Sequence, residues 1–258
     1  MIEEYKQLTS EIDRFSEFLE YLSIKQIGLD NQEYAIINCN ILEHDEFDSL
    51  FKSLKSNLVI MLYNLVEATV RVSMNNYYDN FNNKENNYFL SAEKIKKIWI
   101  KYSSQSFKEN FIQQQVFEMI ETAINNEIAI SLDFSKFHLS GNADVSEIKE
   151  ILKEHGIEYE ESVFKVFGGS LKSVKDMRNS LAHGNISFED NGKNLTISDV
   201  LRYKEQTYQC LEYFMQIVEN FIDNAKDTKL RKNTYPIKRI HKKNRRTTFK
   251  SMNWRKRL

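Results

Sequence analysis

Seven glycines and one proline, Pro236, in 258 residues are too few to build the turns of a β-sandwich, a barrel or a doubly wound sheet. A chain so poor in breakers runs in long helices, and the expected fold is all-α: an up-and-down helical bundle with inserted helices. The 41% hydrophobic and 28% charged residues suit a soluble domain with a sizeable core. Cys39 and Cys210 are the only cysteines, without CxxC spacing, so no disulfide framework is expected and a reducing, cytoplasmic compartment is the natural one. The first six residues are acidic where a signal peptide would be basic, and the longest apolar runs, such as 58–63, are too short to cross a bilayer. No membrane partner is expected.

The helical period of apolar residues sets out the pillars. Tyr5, Leu8, Ile12, Phe15, Leu19 and Leu22 advance in steps of three and four and predict an amphipathic first helix. Residues 28–46 lose the period and read as a loop with a short extended piece at 34–37, closed by Asp45 as a cap. Leu50, Leu54, Leu58, Met61, Leu62, Leu65 and Val72 predict a second helix from Phe47 to about Tyr78. An asparagine-rich loop follows from Asp79 to Asn87, then a wall helix capped by Ser91 and another marked by Phe107, Phe111, Phe117, Ile120 and Ile124. Asp144 with Glu147 has the spacing of a capping box, and Gly156 ends that helix. Asp190-Asn191-Gly192 is a tight-turn signal for a small hairpin between 186–188 and 195–197, and Ser198 caps a last long helix bearing Val200, Tyr203, Leu211, Phe214, Val218, Phe221 and Ala225.

One stretch combines reactive side chains with a helical signal. In residues 170–184, Leu171, Val174, Met177 and Leu181 form a buried face, Ser170 offers an N-cap and Gly184 a stop. Arg178 falls at the edge of the apolar stripe, while Asn179 and His183, four apart, share a neighbouring face. On the second helix Glu67 and Arg71 are also four apart. Either they form a structural ion pair, or one of them supports the site by holding His183 or a substrate phosphate. His138 and His155 have no second ligand at metal spacing, and Gly168-Gly169 lacks the Lys-Ser/Thr of a phosphate loop, so no metal and no cofactor are expected.

The bare Arg-x4-His spacing is common by chance, and its context carries the weight. Arg178-Asn179-Ser180-Leu181-Ala182-His183 resembles the R-N-x-x-x-H signature of HEPN domains, all-helical modules of prokaryotic toxins and RNA-processing nucleases. The segments 62–69 (Leu-Tyr-Asn-Leu-Val-Glu-Ala-Thr), 139–144 (Leu-Ser-Gly-Asn-Ala-Asp) and 187–189 (Ser-Phe-Glu) resemble the MAE_28990/MAE_18760 branch of that superfamily, over about residues 5–225. The resemblance implies a HEPN-like bundle and a homodimer that juxtaposes two motif helices. It further implies Arg178, Asn179 and His183 as catalytic residues of an RNA-cleaving site. The chemistry suits such side chains: RNA supplies its own 2′-hydroxyl nucleophile, His183 moves a proton, Arg178 neutralises the phosphorane and Asn179 orients one of them.

Charge divides the chain. Residues 229–258 hold thirteen Lys or Arg and no acid, so a formal net charge of −1 splits into a body of −14, residues 1–228, and a tail of +13. The body is read as the helical domain and the tail as a flexible basic extension. Lys242, Lys243, Arg245, Arg246, Trp254, Arg255, Lys256 and Arg257 combine cations with an aromatic ring, as suits phosphate contact and stacking on unpaired bases of RNA. Two functions stay open. One is a metal-independent endoribonuclease, a toxin or phage-defence effector restrained by an antitoxin or defence-complex protein. The other is a non-catalytic RNA-binding or adaptor module.

Overall fold

The computed structural model describes residues 2–27 and 44–234. The expected extended piece at 34–37, Cys39, and Lys242 to Arg257 of the basic tail lie outside them. The chain divides into two compact units, Met1–Asp223 and Asn224–Leu258. Among the described residues there are eight α-helices and no strand: α1 (Ile2–Ile27), α2 (His44–Asn82), α3 (Glu93–Gln105), α4 (Ile112–Ile124), α5 (Val145–His155), α6 (Glu161–Ala182), α7 (Phe188–Lys193) and α8 (Ile197–Thr234). The fold is an all-α, up-and-down bundle. None of the described helices is long and apolar enough to cross a membrane.

The hub is α2, whose 39 residues span about 58 Å at 1.5 Å per residue. Leu58, Val59, Leu62, Tyr63, Leu65, Val66, Val70 and Met74 are buried almost all the way round it, because neighbours cover both sides. The first helix brings Ile12, Leu19 and Leu22 to the same core; α6 brings Phe164, Phe167, Leu171 and Val174, and α8 brings Leu211, Phe214 and Val218. Polar contacts fix directions. Tyr208 donates to the Thr9 carbonyl, while Lys204 pairs with Asp13 and reaches Ser16, so α8 runs antiparallel to α1. Lys149 pairs with Glu161 and Lys175 with Asp144, which makes α5 and α6 an antiparallel hairpin.

Where the structure departs from the sequence reading, packing or capping explains it. Ser170 is not a cap: α6 begins nine residues earlier, since Val163, Phe164 and Phe167 continue its apolar stripe and outweigh a cost of about 1 kcal/mol for each of the two helical glycines. The expected hairpin near Gly192 is the short helix α7, started by Ser187 accepting from the Asp190 N–H. That helix lies against α2 so closely that a Cβ on Gly192 would stand 1.8 Å from the Lys52 carbonyl oxygen. Asn191 and Ser56 complete the contact in a buried hydrogen bond.

Leu50, expected in the core, is 42% exposed, because α7 sits over Ser49, Lys52 and Ser56 and turns position 50 outward. The asparagine-rich loop starts later than expected, as α2 continues to Asn82, and α2 begins one residue before Asp45. Ser91 donates to the Asn87 carbonyl while Ala92 takes the cap position of α3. Thr196 and Asp199, not Ser198, form the reciprocal cap of α8. The helix expected from Phe107 starts at Ile112 as α4, so Phe107 and Phe111 precede it; Phe117, Ile120 and Ile124 are exposed, Phe117 by 60% and Ile124 by 72%, while Met119 and Ala123 on the neighbouring face, about 100° round the helix, meet the core.

Candidate functional site

The motif occupies the last two turns of α6. Leu171, Val174 and Leu181 bury one side of the helix, which fixes its rotation and sends Arg178 toward α2. The helix then stops at a defined place. His183 is the C-cap, its N–H bonded to the Asn179 carbonyl; Gly184 takes φ +69°, and the Gly184 and Asn185 N–H groups return to Leu181 and Ser180. A residue with a Cβ resists that left-handed backbone, so Gly184 places the end of the helix, and His183 with it.

Arg178 is held on every side but one. Its guanidinium carbon lies 4.1 Å from the centre of the Tyr63 ring. Nη1 donates to the Gly141 carbonyl at 3.2 Å and to Asn179 Oδ1 at 2.9 Å. Nη2 faces Glu67 Oε1 at 3.8 Å, an ion pair longer than a hydrogen bond. Tyr63, fully buried in α2, donates to that same Glu67 oxygen at 2.9 Å and accepts from the Ala143 N–H at 3.2 Å. Burial, with the Glu67 carboxylate, pushes the Tyr63 phenol up to about 12 against the opposing Ala143 N–H, so the hydroxyl keeps its proton near neutrality. Arg178 remains 26% exposed and open to a solute on one side.

The loop before α5 is tied down around this pair of helices. Asn179 Nδ2 donates to Asn142 Oδ1 at 2.9 Å. Asp144 caps α5 by accepting from the Ser146 and Glu147 N–H groups, and it takes Lys175 of α6 at 2.7 Å. Burial opposes the ionised Asp144, but the Lys175 ammonium and the two N–H groups outweigh it and hold the carboxyl below its ordinary range. The Asp144 half of the expected capping box therefore forms; Glu147 turns its side chain back to the Ser140 N–H instead.

The expected site residues separate into three groups. Arg178, Asn179 and Glu67 come together. His183 is exposed at the helix end, with no side-chain hydrogen bond among the described residues. Arg71 is also exposed, and of the two readings left open for Glu67 and Arg71, the ion pair does not stand among the described residues; Glu67 faces Arg178 of α6 instead. Sequence reasoning left out Tyr63, Gly141, Asn142 and the Lys175–Asp144 pair. The signal was present for Tyr63, which stands four residues before Glu67 and so on its face of the helix. Among the described residues no group of three or more His, Cys, Asp and Glu is arranged to hold a metal.

A family model, MAE_28990-like HEPN, matches residues 1–226. No curated protein and no solved structure matches the chain.

Proposed function

The chain belongs to the MAE_28990-like HEPN family, and from that premise we propose that it is an endoribonuclease that needs no metal, a toxin or phage-defence effector held in check by a partner protein. The observation that carries the proposal is the contrast within one short motif: Arg178 is pre-set by Tyr63, Gly141 and Asn179 and stays partly exposed, and His183 is exposed at the capped end of the same helix, without a side-chain hydrogen bond among the described residues. The base takes the proton of the 2′-hydroxyl, the O2′–P bond forms, and the P–O5′ bond breaks. The 5′-oxygen then leaves with a proton, giving 2′,3′-cyclic phosphate and 5′-hydroxyl ends. Arg178 offsets charge on the phosphorane. One imidazole cannot serve as acid and base in the same step, so the active form is a two-fold dimer in which each chain contributes His183 and Arg178.

A second reading has its own observation. Arg178 Nη1 is bonded to the Gly141 carbonyl and to Asn179, as in an arginine that merely fastens the 139–144 loop, and the protein would then be an RNA-binding adaptor. Kinetics of Arg178→Ala and His183→Ala separate the two. Nuclease action predicts losses on the order of 10²-fold or more with the melting temperature of His183→Ala unchanged. An adaptor would cut no RNA even as wild type, and normal cleavage per folded molecule in both variants would make the Arg178 and His183 pair structural.

A further inference from the structure

We propose that Tyr63 is a positioning residue that keeps one nitrogen of Arg178 free for an anionic substrate, an assignment that rests on the nuclease reading above. The inference comes from how one hydroxyl is spent. The Tyr63 hydroxyl accepts from the Ala143 N–H, so its single proton is aimed at Glu67 Oε1. That oxygen is the one facing Arg178 Nη2. A carboxylate beside a guanidinium ordinarily closes to a charge-assisted hydrogen bond of about 2.7–2.9 Å. Here the separation stays at 3.8 Å while the phenol donates to the same oxygen at 2.9 Å and the guanidinium carbon lies 4.1 Å from the centre of the Tyr63 ring. Nη1 meanwhile is anchored on two neutral acceptors, the Gly141 carbonyl and Asn179 Oδ1.

The consequence is a division of labour on one side chain. Nη1 fixes the orientation, and Nη2, with no hydrogen-bond partner among the described residues, is left to meet a phosphate oxygen. Glu67 stays near enough to favour the charged group and too far to consume it. Removing the hydroxyl alone leaves the buried ring in place and frees Glu67 to close on Nη2, where it competes with the substrate. Removing the charge of Glu67 as well takes that competitor away.

The test is a double-mutant cycle in the full chain, with Tyr63→Phe, Glu67→Gln and both together, read as kcat and KM on a short RNA. Tyr63→Phe should lower kcat/KM on the order of 10-fold, chiefly through KM, the size of one charge-assisted contact, and the double variant should return to within about 3-fold of Glu67→Gln alone. A double variant as impaired as Tyr63→Phe would overturn the assignment, since a purely structural hydroxyl is not rescued by a change of charge on its neighbour. A crystal structure of Tyr63→Phe gives a readout that does not depend on cleavage. The Glu67 Oε1 to Arg178 Nη2 separation should shorten to hydrogen-bond length, and an unchanged 3.8 Å would overturn the assignment. Should the wild type cut no RNA, the nuclease reading falls by itself, and the crystal structure still decides the role of Tyr63.

Discussion

Tyr78, Tyr102 and His155 meet in the core, the neutral imidazole donating from Nδ1 to the Ile151 carbonyl and accepting from the Tyr78 hydroxyl on Nε2, at only 2% exposure. Burial lowers His155 from 6.5 to about 4. The folded state therefore favours the neutral ring, while the unfolded chain takes up a proton near 6.5. This contribution is complete above that pH and is lost as pH falls toward about 4, a difference of roughly 3 kcal/mol. Urea unfolding between pH 7.5 and 4.5 should show the decline in the wild type and a shallower one in His155→Gln. Equal slopes would place the acid sensitivity elsewhere. His155 was legible in the sequence only as a histidine without a ligand partner. Arg178, Asn179 and His183 were legible because their spacing is local. Tyr63 could be placed on the face of Glu67 but not against Arg178, and Gly141 and Asn142 were not legible as partners, because what joins them to Arg178 and Asn179 is the approach of a loop 37 residues away in the chain.

At the scale of the element, periodicity shows that a helix exists and leaves open what covers each face. In α4 both faces are apolar, Val116, Met119 and Ala123 on one and Phe117, Ile120 and Ile124 on the other, so the pattern could not tell which one the bundle buries. Since the second face is exposed, Phe117→Ser and Ile124→Ser should each change stability by less than about 0.5 kcal/mol, whereas Leu58→Ala in α2 should cost about 2–5 kcal/mol. A large loss at Phe117 would mean that the face is covered in solution. The opposite holds at α7, where a turn-like tripeptide folds as a helix because Gly192 lets two backbones touch. Gly192→Ala should destabilise by about 1–3 kcal/mol through the clash with Lys52, measured by thermal melting. A neutral outcome would show that α7 can lift from α2 without cost.

For the molecule as a whole, the all-α bundle followed from scarce glycine and proline together with the long apolar periods, and the family match over residues 1–226 agrees. Charge divides between an acidic body that carries the motif and a tail of thirteen positive charges. If the tail serves encounter and the motif serves chemistry, removing residues 229–258 should weaken RNA binding and flatten its salt dependence while turnover at saturating RNA stays close to that of the full chain. Unchanged affinity and salt slope would assign the tail to a protein partner instead.

If RNA supplies the nucleophile to a site of Arg178 and His183, one substrate pair decides it: an RNA and the same RNA with a single 2′-deoxy nucleotide 5′ to the cut, incubated with the full chain in EDTA. The RNA should be cut to 2′,3′-cyclic phosphate ends and the 2′-deoxy site should stay intact; cleavage of both at equal rates would mean that the 2′-hydroxyl is not the nucleophile.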